Sequence, residues 1–104
     1  MRPKKLLVVQ VAALGENLSA LAPERWGPGW FTLDPTFPAL TCPAQAAFRT
    51  GLSAGGHGMI ANGLYFPELE KVMFWEQSAR LVEGGRIWAG HRARGGTVGL
   101  LFWQ

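Results

Sequence analysis

Two aliphatic runs lie near opposite ends of the chain, Leu6-Leu7-Val8-Val9-Gln10-Val11 and Thr97-Val98-Gly99-Leu100-Leu101-Phe102-Trp103. Neither alternates polar with apolar residues. Near-continuous apolar runs of this length are the pattern of strands buried on both faces, as in parallel sheets. Helical sequence lies between them, and strand, crossover helix and strand together specify an α/β architecture with a mainly parallel sheet. Two such strands cannot cover themselves. The expectation is therefore that residues 1–104 form a single partial domain, the N-terminal part of a larger one. Composition agrees with a buried core: 48% of the residues are hydrophobic and 16% charged, where about 25% charged is typical. That excludes disorder driven by low hydrophobicity and high charge. Trp26, Trp30, Trp75, Trp88 and Trp103 are expected in that core rather than as stacking platforms for bases.

The best-organised segment is Thr41-Cys42-Pro43-Ala44-Gln45-Ala46-Ala47-Phe48-Arg49-Thr50. Threonine is a favoured N-cap, proline is tolerated in a first helical turn, and the alanines propagate helix. Gly51 is placed to end it. Ala47, Phe48 and Leu52 are expected on its buried side. A glycine-rich loop, Ser53 to Gly58, follows. Leu64–Phe66 and Val72–Trp75 read as short extended pieces around a turn at Pro67. Ser78–Arg94 reads as helix interrupted at Gly84-Gly85, with Leu81, Ile87 and Trp88 on one face. Before this region, Glu16–Leu21 reads as a short helix with Leu18 and Leu21 on one side. Residues 23–38 are turn-rich, with one short strand expected around Trp30–Leu33.

Charge narrows the functional classes. Ten basic residues face six glutamates and the lone Asp34, a poor basis for a self-contained carboxylate metal site. The basic residues are dispersed, and Arg86, Arg92 and Arg94 read as a solvated helix face, so no specific nucleic-acid binding is expected. Cys42 is the single cysteine. It excludes an internal disulfide and a zinc ribbon, and it points to a reducing compartment. No segment supplies the ~18 apolar residues of a membrane span. Arg2, Lys4 and Lys5 before the first apolar run imitate a signal peptide, but Gln10 breaks the run and no small-residue cleavage site follows. Localisation stays open, with the cytoplasm slightly favoured.

Three residues are candidates for chemistry. Thr41 places a hydroxyl at a helix N-terminus, among unpaired N–H groups and the positive end of the helix dipole, a setting that suits phosphate. By spacing alone it reads first as a plain N-cap, and as a nucleophile it requires a base or a metal. Asn62 can donate its amide to a phosphoryl oxygen, or it can simply make a turn with Gly63. His57 is open to acid–base, metal-ligand and structural readings, whereas His91 reads as surface and Cys42 as a small buried hydrophobe. The glycine-rich stretch carries neither GxxxxGK[ST] nor GxGxxG.

Taken together, Pro38-Ala39-Leu40-Thr41-Cys42-Pro43, Phe48-Arg49-Thr50-Gly51-Leu52 and His57-Gly58-Met59-Ile60-Ala61-Asn62 resemble the nucleotide pyrophosphatase/phosphodiesterase family of the alkaline phosphatase superfamily. That family's signature runs Thr-x-Pro, a short helix, Thr-Gly-Leu, a loop, then His-Gly-Ile and an Asn. Three blocks match in order across Phe37–Phe66.

The resemblance implies an α/β fold in which this chain is the N-terminal part of an alkaline-phosphatase-like doubly wound sheet. It implies hydrolysis of phosphate esters or nucleotides by the full-length protein, with the rest of the catalytic domain required. Thr41 matches the nucleophile that forms a phosphothreonine, and the same oxygen contacts one of two zinc ions in the family. Asn62 matches the residue that holds a non-bridging phosphoryl oxygen. His57 and Gly58 match a structural loop. Two positions depart from the pattern. The family's first strand ends in a metal-binding Asp, and here Ala12-Ala13 stands in its place, which puts one zinc site in doubt; Glu16 is a nearby carboxylate. Ala44 stands where Asn is common. The alternative from another class is a non-catalytic phosphoester-binding or structural relative that lost a metal ligand at Ala12. A third is a stand-alone α/β interaction module.

Overall fold

The computed structural model describes residues 4–25, 27–76 and 78–101. Trp26, Phe102, Trp103 and Arg2 lie outside the described residues. The chain divides into two units, 1–33 and 34–104.

In the first unit the polypeptide turns at Ala12-Ala13, with Ala13 at φ 61°. Helix α1 (Glu16–Ser19) follows from Gly15. Glu16 in its first turn suits the positive helix end, and the Ser19 hydroxyl donates to the Glu16 carbonyl at 2.8 Å. A 3-10 turn spans Pro23–Arg25. Leu6–Val11 is not a strand, contrary to expectation, and Leu6 is 88% exposed. A strand buried on both faces draws its stability from ladder partners and covering helices, and neither flanks this run among the described residues. Trp30–Leu33 likewise forms no strand. Leu18 and Leu21 are exposed, because a four-residue helix is too short to bury a face.

The second unit holds the organised part. Helix α2 (Thr41–Thr50) ends at Gly51, whose φ of 71° is the left-handed conformation expected there. Helix α3 (Ala54–His57) is one turn, closed by Gly58 at φ 77°. Strands β1 (Gly63–Phe66) and β2 (Lys71–Phe74) form an antiparallel pair, with Leu64 opposite Met73 and Tyr65 opposite Val72. A 3-10 turn over Pro67–Leu69 and Glu70 at φ 47° connects them. This matches the expected extended pieces around Pro67. It is also the one sheet among the described residues, so the parallel doubly wound sheet is not seen there, and 97–101 is not a strand. What the chain has is a small mixed helix-and-strand fold.

Ser78–Arg94 is less helical than its periodicity predicted. It contains a 3-10 turn, Ala79–Leu81, and helix α4 (Ala89–Ala93). Gly84 and Gly85 interrupt it as expected. Gly84 sits at φ 88°, and a Cβ there would fall 2.6 Å from Leu52 Cδ1. Backbone freedom and close approach both favour glycine at this position.

The core is small: Cys42, Ala46, Met59 and Val82, with Leu64 and Leu81 packed against it. Helix α2 therefore buries Cys42, Ala46 and Arg49, an i, i+4, i+7 stripe. The expected face, Ala47, Phe48 and Leu52, is displaced by this one; Phe48 and Leu52 are exposed. Among the described residues the tryptophans do not form the core. Trp30 and Trp75 are about half exposed (48% and 47%), and Trp88 is half-buried.

Candidate functional site

The start of α2 joins two of the residues singled out from sequence. Leu40, in extended conformation, is the N-cap and offers no side-chain acceptor. Thr41 is thus the first helical residue rather than the cap. Among the leading N–H groups, Pro43 has none to offer, and the Ala44 N–H donates to the Leu40 carbonyl at 2.9 Å. The Cys42 N–H is capped from twenty residues downstream. It donates to Asn62 Oδ1 at 3.0 Å. An N–H can bond only to the carbonyl end of a carboxamide, so this contact also fixes which way Asn62 points. Its NH₂ group is the end not used by this bond. Thr41 itself is exposed.

Asn62 is held from its backbone side too. The Trp75 N–H donates to the Asn62 carbonyl at 2.8 Å, extending the β1–β2 ladder by one residue. Gly63 follows because Phe74 occupies the space beside it: a Cβ on Gly63 would lie 2.7 Å from Phe74 Cδ1. The hairpin thus presents the Asn62 carboxamide to the start of α2. The void between Cys42, Met59, Asn62, Leu64 and Met73 is about 10 Å³, room for about one water molecule and no ligand.

His57 is structural in its contacts. It is 1% exposed, and its Nδ1 accepts the Met59 N–H at 3.1 Å. Its carbonyl accepts the Glu83 N–H at 3.0 Å. Burial, and then the charge of Arg49, push its pKa below the usual imidazole value. The ring is therefore neutral at pH 7, with the proton on Nε2. His91 is exposed as expected, and Cys42 is buried at 6%. Burial raises the Cys42 thiol's pKa, partly offset by Arg49. This thiol is protonated and is no nucleophile.

Comparison with known families decides the identity of this arrangement. The model described as type I phosphodiesterase / nucleotide pyrophosphatase matches residues 16–104. The chain belongs to that family. Comparison with curated proteins and with solved structures gave no match. The matched span contains the whole Thr41–Asn62 arrangement.

Phosphodiesterases of this family are typically metal-dependent, so the residues present must be tested against a metal. Among the described residues no three His, Cys, Asp or Glu side chains come together to hold one. The Thr41 hydroxyl is a single donor, Ala12 offers none, and His57 has one nitrogen engaged and the other sealed. The residues described do not fit a zinc site by themselves. No helix among the described residues is long and apolar enough to cross a membrane.

Sequence reasoning missed Arg49. It is 9% exposed, with a sealed and unpartnered Nε. The available signal was its spacing: Cys42, Ala46 and Arg49 fall on one helical stripe. It was overlooked because an arginine on a small-residue stripe is normally assigned to solvent.

Proposed function

We propose that the chain supplies the nucleophile-bearing segment of a phosphoester hydrolase of the type I phosphodiesterase kind. Thr41 Oγ1 attacks phosphorus. The bond to the leaving alcohol or nucleotide breaks as a phosphothreonine forms, and water then cleaves that ester. Asn62 Nδ2 donates to a non-bridging phosphoryl oxygen, and the positive end of α2 lies beside the same charge. The observation that supports this reading is the 3.0 Å bond from the Cys42 N–H to Asn62 Oδ1, which ties Asn62 to the helix start that carries the exposed Thr41. A threonine hydroxyl is a weak nucleophile until a base or metal activates it. No printed contact gives Thr41 a base among the described residues, so activation is assigned to groups beyond them. Zinc, expected from the family pattern with Thr41 as one ligand, belongs to that same requirement.

In this reading residues 1–104 are one partial domain. Leu6–Val11 becomes a covered parallel strand of an alkaline-phosphatase-like sheet once its neighbours are supplied. The test is hydrolysis of a chromogenic phosphodiester by the full-length protein and its Thr41→Ala variant. The variant is expected to lose most turnover, and unchanged turnover overturns the nucleophile assignment. The second reading, a phosphoester-binding relative without catalysis, is favoured by Ala12-Ala13 at the place of the family's metal-binding Asp. Metal content of the full-length protein separates the two. Two divalent ions per chain support the hydrolase, and none supports the binding relative.

A further inference from the structure

A second cluster, of Arg49, His57 and Arg86, lies toward the other end of α2, distinct from Thr41 and Asn62. The Ile87 N–H donates to the Arg49 carbonyl at 2.8 Å, and the Glu83 N–H donates to the His57 carbonyl at 3.0 Å. Both residues are thereby tied to the segment that carries Arg86. The Arg86 guanidinium is itself fixed by the carbonyls of Gly84 at 2.8 Å, Ala79 at 2.9 Å and Val82 at 3.3 Å. Arg49 Nε and His57 Nε2 are both sealed from solvent and unpartnered. His57 Nε2 carries a proton, because Nδ1 accepts from Met59. Burial, and then repulsion from Arg86, lower the Arg49 pKa.

Buried polar hydrogens are ordinarily paired, and a buried cation without a partner is the costliest exception. Arg49 Nε and His57 Nε2 lack acceptors, and with the carbonyl-bound Arg86 guanidinium near them the cluster suits an acceptor rather than a cation. Arginine forks fit an oxygen pair on one planar or tetrahedral group. We propose that Arg49, His57 and Arg86 form a binding site for a small oxoanion, a carboxylate or a phosphate. Arg49 Nε and His57 Nε2 are its inner donors, and Arg86 supplies charge. Both inner nitrogens are covered, so uptake requires the 82–87 segment to open locally.

The test uses the full-length protein at pH 7. Its thermal unfolding midpoint is followed against inorganic phosphate, against acetate, and against sodium chloride of equal ionic strength. Phosphate or acetate is expected to raise the midpoint beyond the chloride control and to shift the Arg49 Nε–H resonance. Acetate acting alone identifies a carboxylate site, and phosphate acting alone identifies a tetrahedral one. Arg49→Met keeps the volume and removes the charge. It is expected to weaken the effect roughly tenfold or more, as for loss of a charged hydrogen bond. Thr41→Ala is expected to keep it, which separates this cluster from the start of α2. No shift beyond chloride, or an equal shift in Arg49→Met, overturns the proposal. If Arg49→Met does not fold, the wild-type Arg49 Nε–H resonance decides: a signal indifferent to both anions is equally fatal.

Discussion

Asn62 caps α2 and, in the proposed function, also holds a phosphoryl oxygen; two substitutions pull these duties apart. Its Oδ1 accepts the Cys42 N–H at 3.0 Å. Leu40 supplies no side-chain cap and Pro43 has no N–H, so this bond is the side-chain cap of α2. Asn62→Ala removes it and leaves the N–H of a residue only 6% exposed without its acceptor. Loss of a cap costs about 1 kcal/mol, with a range of roughly 0.5–2. Orphaning a buried donor falls in the overlapping range of about 1–3 kcal/mol. We expect about 1–2 kcal/mol for the single event. At about 4–8 °C per kcal/mol for a chain of this size, the midpoint falls by roughly 4–16 °C. Asn62→Asp retains an acceptor and sets a carboxylate at the positive helix end, worth about 0.3–1 kcal/mol. Its midpoint is expected to match or exceed that of the parent. Circular dichroism melts of the three proteins, with amide exchange at Cys42 as the local readout, provide the check. On the functional side both variants lose the NH₂ donor, so both are expected to weaken phosphodiester turnover in the full-length protein by about 10²–10³, the usual effect of removing one such donor. An Asn62→Ala chain that melts with the parent and keeps Cys42 protected from exchange refutes the capping argument. An Asn62→Asp chain as unstable as Asn62→Ala refutes it too.

Three further outcomes follow from other contacts. Gly63→Ala drives a Cβ to 2.7 Å from Phe74 Cδ1; we expect about 1–3 kcal/mol of destabilisation in urea unfolding, as for overpacking, and weakened protection of the Trp75 amide. Gly51→Ala forces a side chain into a left-handed C-cap at φ 71° and is expected to cost about 1 kcal/mol by the same assay. Acidification should destabilise the fold through His57, whose folded pKa lies below its ordinary value because of burial and Arg49. Above the unfolded value near 6.5 both states are neutral and nothing is lost; below it the unfolded chain takes the proton first, so stability falls with pH until the folded imidazole also titrates. Urea midpoints between pH 8 and 5 should show this slope, and His57→Gln should flatten it.

The parts legible in the sequence are those decided locally. The span of α2, its stop at Gly51 and the hairpin around Pro67 follow from alanine propensity, a glycine able to adopt positive φ, and turn chemistry acting over a few residues. What the sequence misplaced depends on distant partners. Leu6–Val11 and 97–101 have the composition of buried strands, but strand formation needs a ladder and two covering faces, and the described residues supply neither. The buried face of α2 went astray for a related reason. Phe48 and Leu52 are the more hydrophobic choice, but Met59 and Val82 pack on the side where Cys42, Ala46 and Arg49 lie.

The candidate site falls between these two cases. Thr41 was recognisable from its place before Pro43, although it proved to be the first helical residue and not the cap. Asn62 beside Gly63 reads as a turn residue by local rules, and those rules fail because its side chain acts twenty positions away. That long-range bond links the first of the three sequence blocks to the last. The Thr-x-Pro block opens a helix that lacks its own cap. The Thr50-Gly51-Leu52 block ends that helix and sends the chain back. The His57-to-Asn62 block anchors the return through a buried imidazole and delivers the missing cap. His57 bonds the Met59 N–H, Met59 enters the core beside Cys42, and three residues later Asn62 reaches the Cys42 N–H. A nucleophile at a helix start needs unpaired donors near the phosphate, while a stable helix needs them satisfied. In the proposed function a borrowed carboxamide reconciles the two demands, its oxygen serving the helix and its nitrogen left to the substrate.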